Sequence, residues 1–420
     1  MGIIKTVNLI FMKNVFIAAL FMSALGLSAQ VEKSAKAKSD TVHPALLKPS
    51  NRKSHNKNSD SGTGNAHGNS GAPNSDGHAG HHHAHPHAAA MPENKPEAHL
   101  QNLTQLTFGG DNAEAYFSFD GKEIVFQSNN PAWGLSCDQI FYSPLAKMGA
   151  ADFRPPMVST GEGRTTCSYF MPGDSTMVYA STHLGSKTCP PVPETKGVYL
   201  WPIYEDFDIF VTDKAGNIVN QLTHEPGYDA EATVSPDGKS IVFTSTRSGD
   251  LELYIMDIDG SNVRQITHDL GYDGGAFFSP DSKKLVFRSS RPKTEEEIKS
   301  YKDYLSRNLV APTNMEIYTV NVDGTDLKQI TQLGKANWAP FFHPSGEKII
   351  FSSNHHSERG YDFQLFMINT DGTGLERITH NSIFNAFPMF SPDGKKLIFS
   401  SNRNNGGTRD TNLFIADWVD

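Results

Sequence analysis

The chain lacks the local signatures of the common enzyme classes. It has no Gly-x-Ser-x-Gly elbow, no His-Glu-x-x-His and no phosphate-binding glycine loop. Positive charge is also short. Lys and Arg number 37 against 46 Asp and Glu, a net −9, with no basic stripe, which argues against a nucleic-acid partner. Three cysteines in 420 residues are too few for a disulfide scaffold. Long apolar runs are missing too. The longest, Val15–Leu27, falls short of the ~20 residues a membrane helix needs. It follows Lys13 and ends at the small pair Ser28-Ala29, so residues 1–29 read as a secretory signal peptide. No cysteine lies near the cleavage point to take a lipid. The mature protein is therefore expected to be periplasmic or secreted, with no membrane span.

Large apolar residues are almost absent from 30–100, which predicts a disordered tail because no core can be buried. The tail carries ten of the seventeen histidines, among them His81, His82, His83, His85 and His87. Neutral imidazoles at that density could capture a divalent metal. A polar tether with compositional drift accounts for the same residues, and metal handling stands as a secondary reading.

Residues 101–420 hold six copies of one phrase: Phe117-Ser-Phe-Asp-Gly121, Phe170-Met-Pro-Gly-Asp174, Val234-Ser-Pro-Asp-Gly238, Phe278-Ser-Pro-Asp-Ser282, Phe342-His-Pro-Ser-Gly346 and Phe390-Ser-Pro-Asp-Gly394. Each precedes a β-branched or aromatic run such as Ile241-Val-Phe243. A second run and an Asp-Gly turn follow, then a strand of the Gln265-Ile-Thr267 type. Four antiparallel strands per unit, repeated six times, predict an all-β, six-bladed propeller. The chain stops after the third strand of unit six, so Leu103–Thr107 is expected to close the last blade.

The Ser-Pro-Asp-Gly and Asp-Gly…Gln-Ile-Thr elements resemble the TolB-like propeller repeat, a relative of WD repeats, over residues 103–417. The resemblance implies either a periplasmic binding module or a substrate-gating domain of a protease, and does not choose between them.

Insertions cluster on one end of the blades, called upper here: Asn129–Asp138, His183–Phe207, Arg291–Met315, His355–Phe363 and Arg403–Thr411. Thr294-Glu-Glu-Glu297 is a capping box that predicts a helix near 295–307. The aromatics of Tyr199–Tyr204 could stack on a ligand or pack on a neighbouring blade.

Aligning the blades on the phrase places Asn112, Thr165, Asp229, Asp273, Asn337 and Asn385 where each innermost strand enters the channel. Glu114, Cys167, Glu231, Gly275, Ala339 and Phe387 come two positions further in. Position-specific candidates for binding are Arg247, Arg291, Arg403, His183, His355, Glu114 and Glu231, with Asp229 and Asp273 from the repeating ring. The ring residues have a structural alternative in turn bonding. Cys137, Cys167 and Cys189 share the upper end of blades one and two, so one disulfide and one free thiol are expected, the pair left open. The leading expectation is a non-catalytic binding propeller taking a protein or peptide at the upper mouth. That ligand could be a cell-envelope component, or an acidic glycan read by the arginines. The alternative is a channel-mouth polysaccharide lyase or hydrolase, possibly using a divalent metal.

Overall fold

The repeated phrase folds as a turn through its serine. The hydroxyls of Ser118, Ser235, Ser279 and Ser391 donate to the aspartate two residues on, at 2.6–2.7 Å. Each also accepts from the backbone N–H five residues on, at 2.9–3.0 Å. The phrase's fifth position is left-handed in all six copies. Glycine takes it in four, at φ 71–75°, and Asp174 and Ser282 take it at φ 55° and 60°.

In the computed structural model, residues 95–420 are described except 192, 194 and 196. The expected signal peptide, 1–29, and nine of the ten tail histidines, His81, His82, His83, His85 and His87 among them, lie outside the described residues; His99 lies within them. The runs predicted from sequence are strands. Blade one is Asp111–Phe117, Glu123–Asn129 and Gln139–Pro144. Its fourth strand is reduced to a bridge between Phe141 and Met157. Blade two is Thr165–Phe170, Thr176–Ser181, Asp208–Asp213 and Ile218–Gln221. Blade three is Asp229–Val234, Ser240–Ser245, Glu252–Asp257 and Arg264–Gln265. Blade four is Asp273–Phe278, Lys284–Ser290, Met315–Asn321 and Lys328–Gln329. Blade five is Asn337–Phe342, Lys348–Ser353, Gln364–Asn369 and Glu376–Arg377. Blade six has Asn385–Phe390, Lys396–Ser401 and Asn412–Trp418, and Leu100–Gln105 pairs antiparallel with the last of these.

That closing strand repeats the side-chain bonding of a true fourth strand. Elsewhere a threonine hydroxyl accepts from the third strand's backbone: Ile209 N to Thr223, Leu253 N to Thr267, Ile317 N to Thr331, Leu365 N to Thr379. Thr107 takes this place in blade six, accepting from Leu413 N at 2.8 Å. Gln105 donates to the Thr107 carbonyl at 2.8 Å, as Gln221, Gln265 and Gln329 do to their own threonines. Residues ahead of position 101 also bond to the ring. Glu97 is bonded to Arg403 and to the backbone N–H groups of His380 and Asn381, and His99 stacks on Trp418.

Each innermost strand carries a bulge, marked by a register break after its second or third residue. The bulged residue is left-handed in every blade: Glu114, Cys167, Glu231, Gly275, Ala339 and Phe387, at φ 42–60°. These six share one chamber in the middle of the channel. The repeat alignment thus located the channel-facing position correctly. Among the described residues no helix is long and apolar enough to cross a membrane.

Candidate functional site along the channel

The upper mouth is covered. The blade-two insertion sends Trp201–Pro202 across to pair with Leu309–Val310 from the blade-four insertion. Trp201 packs on Trp338 of blade five at 5.2 Å between ring centroids, and the Trp338 indole N–H donates to the Pro312 carbonyl. The predicted helix is α1, Glu295–Leu305, with both halves of the Thr294/Glu297 capping box present. Its buried Tyr301 donates its hydroxyl to Asp250 of the blade-three loop. The insertion aromatics therefore form a lid by packing on neighbouring blades.

The channel-mouth candidates sit under or beside this lid, each tied to its surroundings. Arg247 pairs with Asp229 at 2.8 Å, and Arg291 forks onto Asp273 at 2.5 and 2.9 Å. In blade six the ring residue is Asn385, which lacks the charge, and Glu97 supplies the carboxylate to Arg403 at 2.9 Å. Each guanidinium lies about one ring-width over its own blade's aromatics: Phe243 and Tyr254, Tyr318, and Phe399 and Phe414. His183 and His355 take the same place in blades two and five, over Phe210 and Phe366 at 4.5 Å, bonded to Ser181 and Ser353. Burial lowers both imidazole pKa values. In blades three, four and six the arginine bonds the ring residue 18 positions earlier, the two histidines bond the serine two positions earlier, and all five are committed to the scaffold.

Cys137 and Cys189 form a disulfide that staples the insertions of blades one and two, 52 residues apart in sequence. Cys167 is the free thiol, buried. In the chain-entropy picture a loop of that length is worth about 4 kcal/mol. Unreduced, denatured protein should therefore show one reactive thiol, and reduction should lower the unfolding free energy by about that amount, read by urea titration with and without reductant.

Below the lid lies the chamber, which collects charged groups. Glu231 accepts from the Tyr272 hydroxyl at 2.6 Å, the Gly275 N–H at 2.7 Å, the Thr244 hydroxyl at 2.8 Å and the Arg288 guanidinium. Arg288 in turn lies over Trp201 at 5.3 Å and Tyr272 at 5.1 Å. Glu114 faces this pair with the Cys167 thiol as its hydrogen-bond partner, and its Oε2 has none. Burial pushes the Glu114 carboxyl up to about 7, with the Glu231 charge adding to the effect.

Next comes a belt of rings. Tyr116 meets Tyr169 and Phe277 at 5.5 Å, and Phe277 meets Phe341 at 5.2 Å. Beyond it the channel opens downward into a funnel of about 300 Å³, walled by Phe119, Tyr169, Phe341 and Met389 and rimmed by Pro236, Pro280, Pro344 and Pro392. The sequence reading passed over this mouth because its residues belong to the repeated phrase, and a repeated position looks structural. The phrase glycines lie against the preceding blade's prolines, Gly121 on Pro392 and Gly394 on Pro344, which holds the rim as a ring. Among the described residues no group of three or more His, Cys, Asp or Glu side chains is placed to hold a metal ion.

Solved propellers resemble this one at low identity. A putative TolB from Agrobacterium tumefaciens is 20% identical over 74% of this chain and 91% of its own, with a TM-score of 0.48. TolB from Acinetobacter baumannii is 19% identical, covering 73% of this chain and 63% of that one, at 0.45. An oligogalacturonate lyase in complex with manganese is 13% identical, covering 79% and 95%, at 0.45. No curated protein matches the sequence. The TolB beta propeller domain family matches residues 193–302 and 302–415, more than half of the chain. The chain belongs to that family.

Proposed function

We propose that this protein is an exported, non-catalytic binding propeller that takes a peptide segment of a partner protein into its lower channel mouth. The observation that carries this reading is the funnel: an apolar, aromatic-walled concavity with a proline rim exposed at Pro236, Pro280 and Pro392, surrounded by the charged Asp and Lys residues of the phrase turns. An apolar centre inside a polar rim is the usual anatomy of a protein-recognition site. Proline and aromatic faces favour an extended segment bearing apolar or aromatic side chains. The upper mouth supports this less well, since Trp201 covers it and its arginines are already paired.

Peptides selected from a random displayed library on the folded chain should carry apolar and aromatic residues. Phe341→Ser should weaken their binding by at least about tenfold, or ~1.4 kcal/mol. Pro280→Ser, at an exposed rim position, should weaken it less, with thermal melts close to wild type. Selected peptides that bind both variants as well as the parent would place the site elsewhere.

A further inference from the structure

The chamber between lid and belt holds an unbalanced set of charges. Two carboxylates, Glu114 and Glu231, face one guanidinium, Arg288, and Arg288 is committed to Glu231. Glu231 is saturated by four donors. Glu114 is only 6% exposed, yet its Oε2 meets no donor from the protein. A buried carboxylate oxygen without a partner bears its full desolvation penalty, so such a group calls for an explanation. The free volume beside it is about 20 Å³, enough for one group the size of a water. The bulge position on the blade-five side of the chamber is Ala339, which contributes only a methyl. The belt between chamber and funnel carries four rings, Tyr116, Tyr169, Phe277 and Phe341, with Thr233 and Met389 at the other two blades, and ring faces suit a cation better than an anion.

We propose that the chamber is a site for a primary ammonium group, a lysine side chain or a free amino terminus, which donates to Glu114 Oε2. This deepens the binding reading above and rests on it: the ligand's apolar part occupies the funnel, and its ammonium passes the belt to the chamber. The groups facing Glu114 are consistent with a cationic visitor. Cys167 donates to it, Glu231 adds negative potential, Asp138 adds more from further off, and Arg288 opposes but is neutralised by its own partner. The phenol of Tyr116 stays neutral, burial pushing its pKa well up. Arg288 Nε also lacks a partner, but its guanidinium is already held by Glu231 and the Tyr272 hydroxyl, so two carboxyl groups outnumber one engaged cation here.

The proposal carries a proton signature. Glu114 is held mostly protonated below about pH 7. Seating an ammonium there favours the carboxylate, so binding releases a proton at about pH 6 and much less at about pH 8. The test uses the full chain and hexylammonium as the probe, followed by calorimetry in two buffers of different ionisation enthalpy. Saturable binding is expected, with proton release at the lower pH. Hexanol, which lacks the charge, and hexyltrimethylammonium, too bulky for the chamber, should each bind at least about tenfold more weakly. Glu114→Gln should lose about tenfold and the proton release while melting normally, and Glu114→Asp should keep part of both. Equal affinity for hexanol and hexylammonium, undiminished binding by a folded Glu114→Gln protein, or no saturable binding by the wild type would each overturn the proposal. Library peptides without an accessible amine that bind wild type and Glu114→Gln alike would also overturn it, while leaving the funnel reading intact.

Discussion

Replacing Arg288 by alanine is expected to lower the unfolding free energy by about 3–5 kcal/mol, because Glu231 would remain buried without its cation. Gly275→Ala should approach that effect without touching either charge. Gly275 is left-handed at φ 60°, and a Cβ there would stand 1.9 Å from the Arg288 Nη1. The guanidinium occupies the space that the other blades fill with a bulge side chain. Alanine would strain the bulge and push Arg288 off Glu231 together. A double replacement, Glu231→Leu with Arg288→Met, should cost less than Arg288→Ala alone, since an apolar pair leaves no orphaned charge. Urea titration of the three variants decides this. A Gly275→Ala protein within about 0.5 kcal/mol of wild type, the range of an ordinary surface change, would mean that the pair does not depend on this glycine.

This pair shows what could be read from the sequence and what was passed over. The bulge ring was legible because a repeat alignment needs only local spacing, and all six positions do line the chamber. Arg288 was missed, although the sequence marks it. The position after the second strand's aromatic is Gln127, Ala180, Thr244, Ser352 or Ser400 in the other blades and charged only here. Its blade is also the only one with glycine at the bulge. Two exceptions in one repeat unit signal that one side chain has taken the place of another. Strand ends converge at the upper mouth, so spacing alone predicts that Arg247, Arg291 and Arg403 face it together. The structure sets each against its own blade's ring residue or Glu97, a distinction of side-chain direction that spacing does not carry. The lid could not be read either. Trp201–Pro202 and Leu309–Val310 meet across more than a hundred residues, and two-residue strands leave no periodicity. Nor could the choice of Cys137 with Cys189, since three shared-face cysteines allow three pairings.

Removing residues 95–106 is expected to unfold the propeller rather than trim it. The segment contributes the outer strand of blade six, which pairs with the last strand of the chain. Three losses coincide. Leu106 is 6% exposed, and its burial is worth roughly 1.5–3 kcal/mol. Glu97 and Arg403 are a mostly buried pair, and stranding the arginine costs about 3–5 kcal/mol. The third strand, Asn412–Trp418, would become an unpaired edge, and Trp418 would lose its stacking partner His99. Together these reach about 5–8 kcal/mol, which is comparable with the whole stability of a typical domain. The contrasting variant Glu97→Gln keeps the strand and the shape but removes the charge, and should cost only part of that sum. Circular dichroism and thermal melts distinguish the two. A synthetic peptide spanning 95–107 should restore the melt of the truncated chain if strand pairing is the cause, because Thr107 and Gln105 carry the same bonds that register the other fourth strands. A truncated chain that melts with the full-length protein would show that the ring is held by blade contacts alone.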